Sequence, residues 1–212
     1  MKTILIATTN EAKYEQIKRI FENYGITNIC SLKDVMPIDE PEEDGPTCQA
    51  NAFIKADYYA EKFPQYCVLA DDSGIFIEEF GGAPGVYSAR WGGAHNTDNI
   101  RKKLVSTFKE KGIDESNAYF ECAMVFKDLA KDITITTTCN LKGIIKPVSY
   151  GTQRNGCAYD SYFVPTIYSK CNYDTLAMLK DDGKMEKIDS ISHRGKAANS
   201  IAHAIVDEYY LK

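Results

Sequence analysis

The sequence predicts an α/β protein built on a mixed β-sheet, and three observations carry that expectation. Short apolar runs at 3–7 and 66–70, the first β-branched at its centre, read as buried strands. Amphipathic stretches follow such runs, as parallel βα units require. Two strongly alternating segments then meet at a four-residue turn, Asp128-Leu129-Ala130-Lys131, and read as a long antiparallel hairpin. A sheet holding both kinds of connection is mixed.

In chain order, the strand at 3–7 runs through Thr8-Thr9-Asn10 into a helix with Ile17, Ile20, Phe21 and Tyr24 on one face. Gly25 ends that helix, and 26–32 reads as a second strand. A polar, acidic, proline-bearing loop spans Pro37 to Pro46. The helix at 47–63 turns Ala52, Ala56, Tyr59, Ala60 and Phe63 inward and places Asn51, Lys55 and Tyr58 on another face. The strand at 66–70 leads into an acidic glycine turn. A helix at 96–111, capped at Asn96 or Thr97, precedes the hairpin. In the hairpin, Phe120, Cys122, Met124 and Phe126 share one face of the first strand, and Ile133, Ile135, Thr137, Cys139 and Leu141 one face of the second. A loop at 151–156, helical turns over 174–189 and a final helix at 193–210 complete the chain, with Ala197, Ile201, Ile205 and Tyr209 inward.

With 212 residues, 44% hydrophobic and 26% charged, the composition is that of an ordinary globular protein, expected as a single domain over 1–212. The net charge of −5 provides no basic footprint for nucleic acid. No run is apolar and long enough for a membrane span or a signal peptide. Seven cysteines without a C-x-x-C spacing fit a reduced, cytoplasmic setting and offer no structural zinc site. His95 and His203 read as structural.

The chemistry-bearing segments are few. Asp71 and Asp72 leave an apolar strand and meet Ser73-Gly74, offering hard oxygen ligands and a carboxylate that can accept a proton from water. Thr8-Thr9-Asn10-Glu11-Ala12-Lys13 lies between a strand and a helix start, where N–H groups and the positive helix end favour phosphate; it lacks the glycines of a Walker loop. Glu42-Glu43-Asp44-Gly45 is a charged surface turn, or one of its glutamates is a further oxygen donor. Lys55 borders a phosphate site or is simply solvated. Arg90, after Gly81-Gly82-Ala83-Pro84-Gly85, stacks at the surface beside Trp91 or clamps a polyphosphate. In Cys157-Ala158-Tyr159-Asp160, Tyr159 is suited to stack on a base and Asp160 to accept from a base N–H. His193 and Arg194 stand at a helix start, where Arg194 can donate to a keto oxygen.

Read together and in this order, these segments resemble the inosine/xanthosine triphosphate pyrophosphatases, the Ham-type nucleoside triphosphate pyrophosphohydrolases. The matching motifs are Thr8-x-Asn10-x-x-Lys13, Glu43-x-Gly45, Asn51-x-x-x-Lys55, Ala70-Asp-Asp-Ser-Gly74, Gly81-Gly-Ala-Pro-Gly-Val-Tyr-Ser-Ala-Arg90, Tyr159-Asp160 and Ser192-His-Arg-Gly-Lys196. The resemblance implies an elongated two-lobed α/β fold around a long mixed sheet, with flanking helices and a nucleotide cleft between the lobes. It implies Mg2+-dependent cleavage between the α- and β-phosphates of ITP, dITP and XTP, releasing a monophosphate and pyrophosphate, by a homodimer. Under it, Thr8, Asn10 and Lys13 hold phosphates, with the intervening Thr9, Glu11 and Ala12. Glu43 and Asp72 ligate the metal, Asp71 supports that site, and Asp72 accepts the proton of the attacking water. Ser73 touches substrate, Lys55 and Arg90 neutralise phosphate charge, and His193 with Arg194 meets the base.

The chain departs from the family pattern in the base segment. Gly156-Cys157-Ala158-Tyr159-Asp160-Ser161 stands where the family has Gly-Phe-Gly-Tyr/Trp-Asp-Pro. A cysteine thus replaces the aromatic expected to stack, which removes about 1–3 kcal/mol of stacking unless it comes from elsewhere. The family lysine five residues before the motif histidine is absent, since Ile188 holds that position: either the helix is shifted by one residue, so that neighbouring Lys187 binds substrate, or another lysine, such as Lys184, fills the role. Two alternatives to the inosine/xanthosine preference therefore stand: the same chemistry with broadened base choice, and a nucleotide-binding sensor without turnover.

Overall fold

A computed structural model describes residues 2–35, 39–93, 96–167 and 174–210. Of the features read above, Pro37, His95 and Cys171 lie outside these residues. The chain begins with strand β1 (Ile4–Ile6), helix α1 (Glu11–Asn23), strand β2 (Ile29–Ser31), helix α2 (Cys48–Lys62) and strand β3 (Cys67–Ile77). It continues with β4 (Pro84–Gly85), α3 (Thr97–Lys111), β5 (Ser116–Asp128), β6 (Ile133–Ile145) and β7 (Phe163–Pro165), then α4 (Leu176–Asp181), α5 (Met185–Ile191) and α6 (His193–Tyr210). The strands make one seven-stranded sheet in the order β2-β1-β3-β5-β6-β7, with β4 paired to β3. β1 runs parallel to β2 and β3, whereas β4 is antiparallel to β3 and β7 to β6, so the sheet is mixed as expected.

The chain separates into two compact units, one of Met1–Ser73, Cys122–Cys139 and His193–Lys212, the other of Gly74–Glu121 and Asn140–Ser192. In the first, α1 and α6 bury Ile17, Ile20, Phe21, Ala197, Ile201 and Ile205 against Ile4, Ile6, Cys67 and Leu69 and against Cys122, Met124 and Phe126 of β5. In the second, Ile100, Leu104 and Phe108 of α3 share a core with Ile75, Phe120, Tyr159, Phe163 and Leu179. Among the described residues, no helix is long and apolar enough to cross a membrane.

Three sequence expectations are corrected. The second strand is shorter than 26–32, because Gly25 adopts φ +76° and the Ile26 N–H is drawn back onto the carbonyl of Phe21, 3.0 Å away, closing α1. The helical turns over 174–189 form two helices, separated where Gly183 takes φ +69°. The segment Asp71-Asp72-Ser73-Gly74 is not a turn: β3 continues through it to Ile77. Gly74 serves a close approach there, since a Cβ would sit 2.4 Å from the carbonyl oxygen of Gly85 on β4.

Candidate active site

The parallel register sets Ile6 of β1 opposite Leu69 of β3, and the Ala7 N–H donates to the Leu69 carbonyl at 2.8 Å. Both chains therefore leave this pairing at the same end of the sheet, β1 into the Thr8 loop and β3 into Asp71. Parallel sheets form their sites at the carboxyl ends of strands for this reason.

Asn10 caps α1: its Oδ1 accepts from the N–H groups of Ala12 (3.0 Å) and Lys13 (3.3 Å), while its own N–H donates to Thr8 Oγ1 at 3.2 Å. The cap thus takes up two of the N–H groups expected to meet phosphate. Thr9, Glu11 and Ala12 are exposed. From the first turn of α1, Lys13 donates to Asp71 Oδ2 at 2.9 Å.

Successive strand residues face opposite sides of a sheet, and the two acids of β3 follow that rule. Asp71 looks toward α1 and α6. Its Oδ2 receives Lys13, the Ser73 hydroxyl at 3.3 Å and Arg194 Nε at 3.5 Å, and Arg194 also donates to Ser73 Oγ (3.3 Å) and Gln16 Oε1 (3.4 Å). Burial opposes the charge of Asp71, but Lys13, Arg194 and Lys55 outweigh it and hold the carboxyl well below its usual range. Asp71 is thus a fixed anion that gathers cations.

Asp72 looks toward α2. Asn51 Nδ2 donates to its Oδ2 at 3.3 Å, and the Lys55 ammonium lies 3.8 Å from its Oδ1 and 3.1 Å from Glu43 Oε2. Burial pushes the Asp72 carboxyl up; Lys55 and Lys13 pull it down, Glu43 and Asp71 push it back, and the net shift is upward. One acid is thus locked in its charged form, and its neighbour is the easier of the two to protonate.

Asn51, expected on a polar helix face, is fully buried. Its Oδ1 accepts from the Gly45 N–H at 2.8 Å, which ties the acidic loop carrying Glu43 to Asp72. A Cβ at Gly45 would meet Asn51 Oδ1 at 2.7 Å and Ala50 Cβ at 2.8 Å, so only glycine permits that approach. The spacing Asn51-x-x-x-Lys55, one helical turn, was the signal available for the pair. Gln16 had none. His193, first residue of α6, is buried, and Arg194 follows it.

The remaining candidates belong to the second unit. Arg90 stacks on the ring of Tyr87, 5.0 Å from its centroid, rather than on Trp91, which packs against Phe80. Tyr159, read as a base-stacking aromatic, is a core residue: its ring is buried against Phe120 and its hydroxyl donates to the Ser88 carbonyl at 2.9 Å. Ala158 is buried and Cys157 half-buried. Asp160 accepts from Lys180 at 2.6 Å, a lysine the sequence reading did not single out. Lys187 is exposed on α5, while Ile188 is buried in the core.

A family model described as the Ham1 family matches residues 4–204. The chain belongs to the Ham1 family. Among curated relatives, a dITP/XTP pyrophosphatase of Nautilia profundicola is 38% identical over 92% of this chain and 92% of its own length. One from Clostridium tetani is 38% identical over 95% of this chain and 94% of its own length. The solved Ham1 protein of Staphylococcus aureus superposes with TM-score 0.78 at 28% identity, covering 97% of this chain and 98% of that one. The HAM1 protein of Coxiella burnetii gives 0.79 at 25% identity, covering 98% and 100%.

Proposed function

We propose that this Ham1 protein hydrolyses deaminated purine nucleoside triphosphates (dITP, ITP and XTP) to the monophosphate and pyrophosphate with Mg2+, cleansing the nucleotide pool. The observation that carries the reading is the division of labour on β3: Asp71 held charged by Lys13 and Arg194, Asp72 raised and set among Asn51, Lys55 and Glu43. The printed names of the relatives, dITP/XTP pyrophosphatases, supply the substrate class.

Among the described residues, no cluster of three His, Cys, Asp or Glu side chains suited to a metal occurs. The two carboxylates Glu43 and Asp72, bracketing one ammonium, are nonetheless a fitting donor set for Mg2+. That ion takes oxygen ligands, is typically held by one or two carboxylates, and fills its shell with water and substrate phosphate. When bound, it supplies positive charge and lowers the pKa of water.

The protein's own residues do the rest. Asp72 accepts the proton of the attacking water, the role its raised pKa suits, and Asn51 holds it in place. Lys13, with Thr8 and Asn10, holds phosphate at the start of α1, with Thr9, Glu11 and Ala12 beside it. Lys55 and Arg90 neutralise phosphate charge, and Ser73 touches substrate. Asp71 keeps Lys13 and Arg194 aimed. His193 and Arg194 meet the base, and Cys157, Ala158 and Asp160 belong to its recognition. The reading extends to a cytoplasmic homodimer, which light scattering on the purified chain tests.

A second reading, broadened base choice, is favoured by Cys157 at the stacking position. Pyrophosphate release with Mg2+ across dITP, ITP, XTP and the four standard deoxynucleotides decides between them. Preference for the deaminated set is expected; equal rates with dATP or dGTP select the broadened enzyme, and no release with any nucleotide rejects both.

A further inference from the structure

We propose that Cys157 is a modification site: a reactive thiol whose anion the Lys180 ammonium holds, open to two-electron oxidation by peroxides. The residues concerned all belong to the second unit, and the inference does not depend on the pyrophosphohydrolase reading above.

Lys180 stands near the end of α4. Its Nζ donates to Asp160 Oδ2 at 2.6 Å and to Cys157 Sγ at 3.4 Å. Burial opposes the charge of this lysine, but Asp160 and Cys157 outweigh it and push its pKa up, so the ammonium persists. The backbone of Cys157 is pinned at both ends. Its N–H donates to the Arg154 carbonyl at 3.3 Å, and Arg101 Nη2 donates to its carbonyl at 3.5 Å and to that of Arg154 at 2.6 Å. The Ala177 N–H, on α4, donates to the Asp160 carbonyl at 3.2 Å. Sulfur, ammonium and carboxylate therefore form one fixed cluster.

The charged groups around this segment are Lys180 and Asp181 on α4, Arg101 on α3, and Arg154 and Asp160 on the loop itself. Arg154 is met by Asp181 at 2.6 Å and Arg101 by Asp98 at 2.8 Å, whereas Lys180 divides its donors between Asp160 and the sulfur. A cation in contact favours the thiolate, and the thiolate is the form that peroxide oxidises. Cys157 is half-buried, which leaves the sulfur within reach of a small oxidant. Other described cysteines are set differently. Cys48, Cys67 and Cys122 are fully buried. Burial and the Asp34 carboxylate push the Cys30 thiol up to about 11, and the Cys139 sulfur lies 3.9 Å from the neutral Thr137 hydroxyl.

The Cys157 sulfur attacks one oxygen of hydrogen peroxide, and the S–O bond forms as the O–O bond breaks. The departing hydroxide takes a proton from the Lys180 ammonium and leaves as water; solvent returns that proton to the amine. The sulfur is oxidised by two electrons to a sulfenic acid and the peroxide is reduced by the same two. A thiol reductant reverses the change. Asp160 keeps the ammonium aimed at the sulfur throughout.

Hydrogen peroxide with a dimedone trap, followed by peptide mass spectrometry, locates the sulfenic acid. The pH dependence of iodoacetamide alkylation then gives a midpoint for each thiol. The plateau rate reports exposure and the midpoint reports acidity, so a loosened loop is told apart from a lost cation. In the wild type, Cys157 should be trapped before Cys30 and Cys139 and show the lowest midpoint of the three. K180M should slow its alkylation at neutral pH about fivefold to tenfold and raise its midpoint by about one pH unit. D160N, which frees the ammonium for the sulfur, should hold or lower the midpoint. Where K180M fails to fold, D160N/K180M set against D160N should show the same rise, since it leaves neither charge of the pair unpartnered. Trapping of Cys157 no faster than Cys30 overturns the assignment. So does a midpoint unmoved in folded K180M or the double variant, or one that rises in D160N.

Discussion

Asn51 bonds to Asp72 with one end of its side-chain amide and to the Gly45 N–H with the other, so a fully buried neutral residue joins the acidic loop to the raised carboxylate of β3. Asn51→Ala removes both bonds and leaves a buried N–H and a carboxylate short of partners. A loss of about 1–3 kcal/mol in urea unfolding is expected, together with a fall in kcat larger than the change in KM, since Asp72 loses its orientation. Unchanged kcat in a folded Asn51→Ala protein would refute the positioning role.

Asp72→Asn keeps the shape of the side chain and removes its ability to accept a proton. Turnover should drop by at least about 10²-fold with the circular dichroism spectrum unaltered. An active Asn variant would return the base role to another group.

The acid limb of the pH–rate profile should follow Asp72, whose carboxyl is raised above its ordinary value, so activity falls as pH drops through that raised value. Lys55 is the largest influence pulling Asp72 down. Lys55→Met should therefore move the acid limb of kcat/KM to higher pH, besides weakening substrate binding. A limb that stays put, or moves to lower pH, contradicts the placement of charge around Asp72.

Asp71 leads to a stability prediction of opposite form. Its folded pKa is depressed, so its contribution is fully present above its unfolded value near 3.8 and is lost as pH falls through the lower folded one. Asp71→Asn leaves Lys13 and Arg194 facing each other without their shared anion. A deficit on the order of 3–5 kcal/mol against the wild type is expected at neutral pH, closing as the pH is taken down into the acid range. Parallel unfolding curves at pH 7 and pH 3 measure it; a gap that widens in acid would sink the cation-gathering role.

Local signals made much of the fold legible. The cap at Asn10, the glycine stop at Gly25, the apolar stripe of α6 and the alternation in β5 and β6 all act within a few residues, and the helices and hairpin stand where those signals put them. The Asp71–Lys13 meeting was legible too, because a parallel β1–β3 pair brings the two strand exits together. What stayed hidden depends on long-range burial. Asp-Asp-Ser-Gly carries turn-forming residue types, yet it lies inside β3, between the residues paired with β1 (67–69) and those paired with β4 (75–76), and runs extended. Asn51 looks like a surface residue until the acidic loop folds over it, and Tyr159 looks available until Ser88 takes its hydroxyl. Lys180 sits in a stretch rich in charged residues, and only the folded chain sets it on Asp160.

The parity of β3 has a consequence for how such a protein tolerates change. Because its neighbouring acids answer to different helices, adding or deleting a single residue upstream in that strand would turn each acid to the opposite face, Asp72 to the side of Lys13 and Asp71 to the side of Asn51. Length variation is thereby expected to collect in the outer loops and to spare this strand, whatever happens to the side chains around it.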